Sequence, residues 1–302
     1  MRLRHIEVFH AVYTSASISN AAKLLNVSQP SVSKVLKHAE DQLGYQLFER
    51  IKGKLVPTKE AHRLHDEVAK VYTHLHSLKR LSENLGHASG GVIRVAVTPA
   101  LGLNIVPMAV ASFLKSHPST RFDLETLHLS EVMISLNEGK TDLGIVFDPP
   151  TYPNIRDYEL GSGEFVCLAP MGVRLSNSDK MALADIENTD FIRLNGRGPL
   201  GRLLTQQIEA SGAHFNTVAN VETYHMAKAL VELGAGVTIV DEITARSYSD
   251  TKIQIKRIYP AAKFKIKALT LESEPISLEC QNFINHTRSV IVDFVARPIN
   301  EA

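Results

Sequence analysis

Gln29, Ser31, Ser33, Lys34, Lys37 and His38 fall within ten residues and supply an amide, two hydroxyls, two cations and an imidazole, with no carboxylate among them. Such groups bond base edges and phosphate oxygens, although a solvated basic face of a surface helix has the same composition. Val32, Val35, Leu36 and Ala39 recur at three- and four-residue spacing, so one stripe of this segment is committed to a core and the six polar groups turn outward. Ser28 is the expected N-cap, and Pro30 suits the first turn, where a missing N–H costs little. Upstream, Ala21, Ala22 and Leu24 make a small apolar helix that a second can cross closely, and Asn26-Val27-Ser28 breaks the pattern between them. The spacing predicts a helix-turn-helix whose second helix fits a DNA major groove.

Charge is segregated in the same sense. Residues 1–58 hold eight Lys or Arg against four Asp or Glu, whereas the 302-residue chain is only +1. Through residue 91 the count is thirteen against eight, which leaves twenty against twenty-four in residues 92–302. A basic N-terminal module before a slightly acidic body is expected where only the module must neutralise phosphates.

Residues 3–60 closely resemble the winged helix-turn-helix of LysR-type transcriptional regulators. The resemblance rests on Phe9, the Ala21-Ala22 pair, Val27-Ser28-Gln29-Pro30-Ser31-Val32-Ser33, Glu40 with Leu43-Gly44, Leu47-Phe48-Glu49-Arg50, and Leu55 with Pro57-Thr58. It implies a two-stranded wing after Arg50 with Lys52, Gly53 and Lys54 at its tip, where the lysines reach phosphate and Gly53 makes the turn. The expected DNA-binding residues are thus Gln29, Pro30, Ser31, Ser33, Lys34, Lys37, His38, Arg50, Lys52 and Lys54.

After Thr58, Ala61, Leu64, Val68, Val71, Leu75, Leu78, Ser82 and Leu85 alternate three- and four-residue steps over four heptads. A 3.5-residue period predicts a coiled-coil seam, although a helix packed on its own domain shares much of this pattern. The resemblance favours dimerisation through this linker helix, with Leu64, Val68, Val71, Leu75 and Leu78 as contacts and Thr58 as N-cap. Dimerisation also lets a short reader helix gather enough bases. The expected organisation is residues 1–58 for DNA binding, 59–88 for the linker, a hinge at 89–91 marked by Gly90-Gly91, and 92–302 for the rest.

Beyond residue 91, strands expected at 92–98, 120–127 and 143–147 alternate with helices at 103–116 and 132–138, which predicts parallel sheets. A second series spans about 164–263, followed by a strand at 266–271 and a helix at 277–295. The layout looks like the family's effector domain, which resembles periplasmic solute-binding proteins: two α/β lobes joined by two crossing strands. Lobe I would be 92–161 plus 266–302, and lobe II 162–265. The fold class is thus an α-rich winged helix-turn-helix with a long linker helix, followed by a two-lobed α/β domain.

A ligand in such an architecture sits between lobes, at strand carboxyl ends and helix amino ends. The expected effector-binding residues are Thr98, Pro99, Ala100 and Leu101 after the first strand, Ser130 and Thr223 as helix N-caps, and Phe147 and Asp148 at a strand end. Arg193 and Asn195 end a lobe II strand, and Arg197 follows. Capping alone accounts for Ser130 and Thr223 equally well, as a salt bridge within the loop does for Arg193. The expected ligand is a small anion, a carboxylate in particular.

His62, His65, His74 and His76 suggest metal ligands, but their helical spacing fits a solvated face, and no metal or cofactor is expected. Cys167 and Cys280 sit in apolar, strand-like surroundings, with no apolar leader and no run long enough to span a membrane, so a reducing cytoplasm is expected. Glu232 to Val240 holds Gly-x-Gly after a helix and before a strand, the reverse of a dinucleotide fingerprint. A ligand-responsive regulator accounts for reader, seam and body together. An export receptor accounts for the body alone, and an enzyme needs a catalytic constellation that no motif supplies; a cytoplasmic small-molecule-binding protein or an enzyme using the cleft is the alternative. The resemblance implies an inverted-repeat operator, a homodimer or homotetramer, and RNA polymerase as partner.

Overall fold

A computed structural model of the chain describes residues 1–51, 53–86, 91–173, 175, 180–195, 198–247 and 253–297, without the side chains of 54, 73–74 and 76–86. Met1–Arg80 and Leu81–Ala302 form two compact units.

In the first unit, α1 (Leu3–Ser15), α2 (Ile18–Leu24) and α3 (Gln29–Leu43) precede a hairpin of β1 (Phe48–Ile51) and β2 (Lys54–Pro57), and α4 (Lys59–Gly86) follows. Ser17 caps α2 by accepting from the Asn20 amide at 3.3 Å. Asn26, at φ 52°, turns the chain, and the Val27 amide closes the turn on the Ala22 carbonyl at 3.0 Å. Ser28 stands at the N-cap of α3 but does not cap with its side chain; its Oγ lies 2.9 Å from Ser31 Oγ. Thr58 does cap α4, its Oγ1 accepting from the Ala61 amide at 3.2 Å.

Val8, Phe9 and Val12 of α1, Ala21 and Ala22 of α2, and Val32 and Leu36 of α3 meet Leu47, Phe48, Ala61 and Val68 in one core. Each large aliphatic or aromatic side chain buried there contributes about 1.5–3 kcal/mol. Glu40 is buried too, and its Oε1 accepts from the amides of Leu47 and Phe48 at 2.7 and 3.2 Å, which satisfies the carboxylate and ties α3 to the hairpin. Gly53, at φ 80°, occupies the left-handed turn between β1 and β2.

The second unit begins with β3 (Val92–Val97), α5 (Pro99–Gly102), α6 (Ile105–Ser116), β4 (Arg121–Thr126), α7 (Leu129–Asn137) and β5 (Leu143–Phe147). The long β6 (Ile155–Pro170) leads to β7 (Lys180–Met181), a 3-10 turn at Leu183–Ile186, β8 (Asp190–Leu194), α8 (Gly198–Ser211), β9 (Asn216–Val221), α9 (Tyr224–Glu232), β10 (Thr238–Asp241), α10 (Glu242–Arg246) and β11 (Ile253–Ile258). β12 (Lys263–Leu271) and α11 (Leu278–Ala296) complete it.

The main sheet runs β4-β3-β5-β12-β6-β11-β7, with β10 also on β6, and β8 pairs β9 separately. β3 is parallel to β4 and β5, and β8 to β9, as the alternation predicts. The all-parallel expectation fails at the centre, because β12 returns antiparallel to both β5 and β6. These two long strands cross between lobes: β6 pairs β12 through Glu164, then β10 and β11 from Phe165 on. Gly161 faces Ile266 and Ser162 faces Lys265, beside a register irregularity. Gly163 is held to glycine by close approach, since a Cβ there would lie 2.7 Å from the Phe264 ring.

The helix expected at 103–116 is α6, Ile105–Ser116, and a short helix that was not expected, α5, precedes it, with Asn104 in a non-helical conformation between the two. His128, not Ser130, is the N-cap of α7, leaving Ser130 inside the first turn. Cys167 and Cys280 are buried thiols, and burial pushes each up to about 12, so neither is a thiolate near neutrality. Residues 87–90, which include residues 89 and 90 of the expected hinge, lie outside the described residues.

Candidate functional site

The first candidate surface is α3. Its apolar stripe is consumed by the core, so Gln29, Pro30, Ser31, Lys34, Lys37 and His38 are exposed and Ser33 is half-exposed, with no carboxylate among them. Arg50 is exposed on β1, where the hairpin presents it. Lys52 and the side chain of Lys54 lie outside the described residues, as do the side chain of Leu78 and Arg197.

The heptad positions of α4 divide. Ala61 and Val68 are 0% and 3% exposed and Leu64 packs beside them, so these positions serve the unit's own core under Phe9. Val68 therefore has almost no surface left for a partner, which corrects its assignment to the seam. Val71 and Leu75 are 40% and 37% exposed and remain free to form one. The histidines on this helix are not simply solvated. His65 stacks on Tyr13 at 3.8 Å between ring centroids, and His62 Nδ1 lies 2.6 Å from the Tyr13 hydroxyl. No metal-binding group of His, Cys, Asp and Glu occurs among the described residues.

The second candidate site is a cavity of about 580 Å³ in the two-lobed unit. Thr98, Pro99, Ala100, Ser130 and Phe147 line it from lobe I, and Thr223 from lobe II, as expected. Four expected residues do not line it. Leu101 is fully buried in the core, Asp148 lies at a positive-φ turn after β5, and Arg193 and Asn195 border a separate hollow of about 390 Å³. Arg193 donates from Nε to Thr217 Oγ1 at 3.3 Å, because β8 and β9 pair side by side.

Three helices, α7, α8 and α9, begin at this cavity, so first-turn amides without carbonyl partners in their own helices collect around it. Thr223 caps α9, accepting from the Met226 amide at 3.3 Å, while Glu131 accepts from the His128 amide at 2.9 Å. Thr98 Oγ1, Tyr224 Oη and His225 Nε2 are buried with no protein hydrogen-bond partner among the described residues, and all three residues line the cavity. Arg202 brings a guanidinium to the same wall and to the smaller hollow.

Protonation states follow from burial. Burial, with the nearby Asp241 charge, raises the Tyr224 phenol well above its usual value, so it stays a neutral donor. Burial and Lys228 lower His225, which keeps that ring neutral near pH 7. Behind Tyr224, Asp241 is fully buried at the N-cap of α10, and burial lifts its carboxyl to about 6 despite bonds from the Thr244 amide and hydroxyl at 2.8 and 2.7 Å.

Sequence reasoning missed His128, Tyr152, Arg202, Glu222, Tyr224 and His225. Tyr224 and His225 were within reach, since they are the two residues after an N-cap already assigned to the site. Arg202 offered no such signal, because α8 approaches the cavity only through the packing of lobe II.

A family model described as "LysR substrate binding domain" matches residues 86–291, and one described as "Bacterial regulatory helix-turn-helix protein, lysR family" matches residues 3–62. The chain is similar to the HTH-type transcriptional regulator DgcR of Pseudoalteromonas sp, 42% identical over 96% of this chain and 100% of that protein. It is also similar to the HTH-type transcriptional regulator AdmX of Serratia plymuthica, 32% identical over 94% and 90% of the two chains. The transcriptional activator protein LysR of Escherichia coli is 28% identical over 96% and 93%. Among solved structures, CbnR, a LysR family transcriptional regulator, aligns with TM-score 0.66 at 22% identity over 96% and 99% of the chains. Full-length CbnR complexed with its target DNA gives 0.65 at 21% over 96% and 100%.

Proposed function

The chain belongs to the LysR-type transcriptional regulators, and from that premise we propose that it reads an inverted-repeat operator with α3 and responds to a small anion held between its two lobes. In this reading Gln29, Ser31 and Ser33 face base edges near the start of α3, while Lys34, Lys37, His38, Arg50 and the wing lysines Lys52 and Lys54 hold phosphate. Residues 1–58 bind DNA, 59–88 link and dimerise, and 92–302 bind the effector. Val71, Leu75 and Leu78 form the seam of a dimer, which pairs further into a tetramer and engages RNA polymerase in the cytoplasm.

The observation that carries the effector half is the convergence of Thr98 Oγ1, Tyr224 Oη and His225 Nε2, buried and without protein partners among the described residues, on one cavity. Buried polar groups are nearly always satisfied, and a site waiting for a ligand is the physical reason for three exceptions in one place. The first-turn amides of α7 and α9 and the Arg202 guanidinium favour a carboxylate. Such a ligand regulates only by binding one arrangement of the oligomer better than another, so its effect passes to the spacing of the reader helices. A catalytic role is not part of this reading, because the family consists of regulators.

The test is to sequence DNA fragments retained by the purified protein with and without candidate carboxylates that raise its melting temperature. A defined inverted repeat whose footprint changes with ligand is the expected result. Retention of random sequence alone would overturn the reading.

A further inference from the structure

His38 on α3 is joined to a histidine of a different helix. The Arg2 backbone amide lies 3.3 Å from His5 Nδ1, and His5 Nε2 lies 3.1 Å from His38 Nδ1, with the rings edge to face at 5.1 Å. A backbone amide only donates, so His5 Nδ1 must accept and carries no proton. His5 is 5% exposed; burial, followed by His38, the terminal amine and Arg2, holds it below the usual histidine range, so near pH 7 its single ring proton sits on Nε2. That proton points at His38 Nδ1, which is thereby the acceptor. The remaining donor of the exposed His38 ring is Nε2–H.

We propose that His5 is a positioning residue that sets the tautomer of His38, so that His38 offers a fixed Nε2–H donor to a DNA phosphate. The proposal rests on reading α3 as the DNA-reading helix. The N-terminal residues of such a helix meet base edges, and His38 is the tenth residue of α3, in its third turn, where the groove gives way to backbone. A phosphate oxygen only accepts, so an imidazole with a lone pair there would repel it, whereas a fixed N–H bonds it. The donor is set before DNA arrives: the Arg2 amide orients His5, and His5 orients His38. Neither ring has a carboxylate within hydrogen-bond distance among the described residues that could select the opposite tautomer.

The tautomers can be observed in the full chain labelled with 15N at histidine. Long-range 15N–1H correlations should show protonated Nε2 and lone-pair Nδ1 on both rings near pH 7, and an Nδ1–H on either ring overturns the proposal without any variant. Binding to a random-sequence duplex supplies the second readout. His38→Ala should weaken it about two- to tenfold, the range of one hydrogen bond. His5→Phe fills the same space without nitrogens and should lose about as much. His5→Gln, whose carbonyl accepts from Arg2 and whose amide donates to His38, should restore most of the affinity. If His5→Phe binds like the parent, or His5→Gln binds no better than His5→Phe, the ring at position 5 only packs and the proposal fails. Gln29→Ala on the tightest duplex selected from a random library separates the two levels. A loss there with a parent-like His5→Phe refutes the relay alone, while parent-like binding by both Gln29→Ala and His38→Ala refutes the assignment of α3 itself.

Discussion

Replacing Tyr224 with Phe and Thr98 with Val deletes two hydroxyls from the cavity while leaving the shape of each side chain nearly unchanged. Neither hydroxyl has a protein partner among the described residues, so neither deletion breaks a hydrogen bond that those residues make. Thr98 stands at the N-cap of α5, but its side chain makes no capping bond, and only its carbonyl receives the helix amides. A buried polar group without a partner carries a desolvation cost of about 1–3 kcal/mol, so each ligand-free variant should match the parent or exceed it by up to that amount. In a unit of this size 1 kcal/mol moves Tm by about 2–4 °C, which differential scanning resolves. Thr244→Val is the control, because it deletes a hydroxyl that is in use. Thr244 is fully buried and donates to Asp241 Oδ2 at 2.7 Å, so its loss should cost about 1–3 kcal/mol. Ligand binding should show the reverse order. A hydroxyl that bonds the effector contributes about 0.5–1.5 kcal/mol, so calorimetry should find Kd raised about two- to twelvefold for Tyr224→Phe and for Thr98→Val, and unchanged for Thr244→Val. The reasoning is refuted if the double variant melts well below the parent yet binds the effector at full strength, since both hydroxyls would then serve the fold.

At the DNA surface, Gln29→Ala should cost about 1–3 kcal/mol on the specific site and almost nothing on random DNA, whereas Arg50→Ala should weaken both and lower the salt slope by about one; fluorescence anisotropy across a salt series distinguishes them. On α4, Val71→Asp and Leu75→Asp should dissociate the dimer in sedimentation with circular dichroism unchanged, while Val68→Asp, 3% exposed, should unfold the N-terminal unit by burying an unpaired charge. Asp241 supplies a pH test. Its folded pKa, about 6, lies above the ordinary 3.8, so the native state holds a proton that the unfolded chain releases. Stability should therefore be greatest at acid pH and fall by roughly 2–3 kcal/mol between about pH 4 and 6, then level off. Asp241→Asn should flatten that window in denaturant melts, and an unchanged slope would assign it to other groups.

Much of the DNA-reading unit was legible from local pattern. The three- and four-residue spacing of Val32, Val35, Leu36 and Ala39 determined which face of α3 is buried, and therefore which six side chains are offered to solvent, because a helix maps sequence spacing directly onto its faces. The same holds for the caps at Thr58 and Thr223 and for the turn at Gly53, where one residue's chemistry or φ decides the outcome. The parallel strand pairs could likewise be placed from the alternation of strands and helices, whereas the two crossing strands were implied only by the family resemblance.

Tertiary structure decided what depended on distant neighbours. Val68 and Val71 belong to one heptad, yet only the packing of α1 against the start of α4 separates a core residue from an exposed one. Leu101 and Ala100 are adjacent, but the core takes one and the cavity the other. Arg193 ends a lobe II strand as expected and still points elsewhere, since β9 supplies Thr217 beside it. Tyr224 and His225 acquire meaning only because α9 and α7, which starts at Leu129, open onto one cavity, and the contact of His5 with His38 joins two helices separated by a third. Sequence by itself determined the local elements and the faces they show; the convergence of helix starts, orphaned hydroxyls and one guanidinium on a single cavity is a property of long-range packing, which no spacing along the chain encodes.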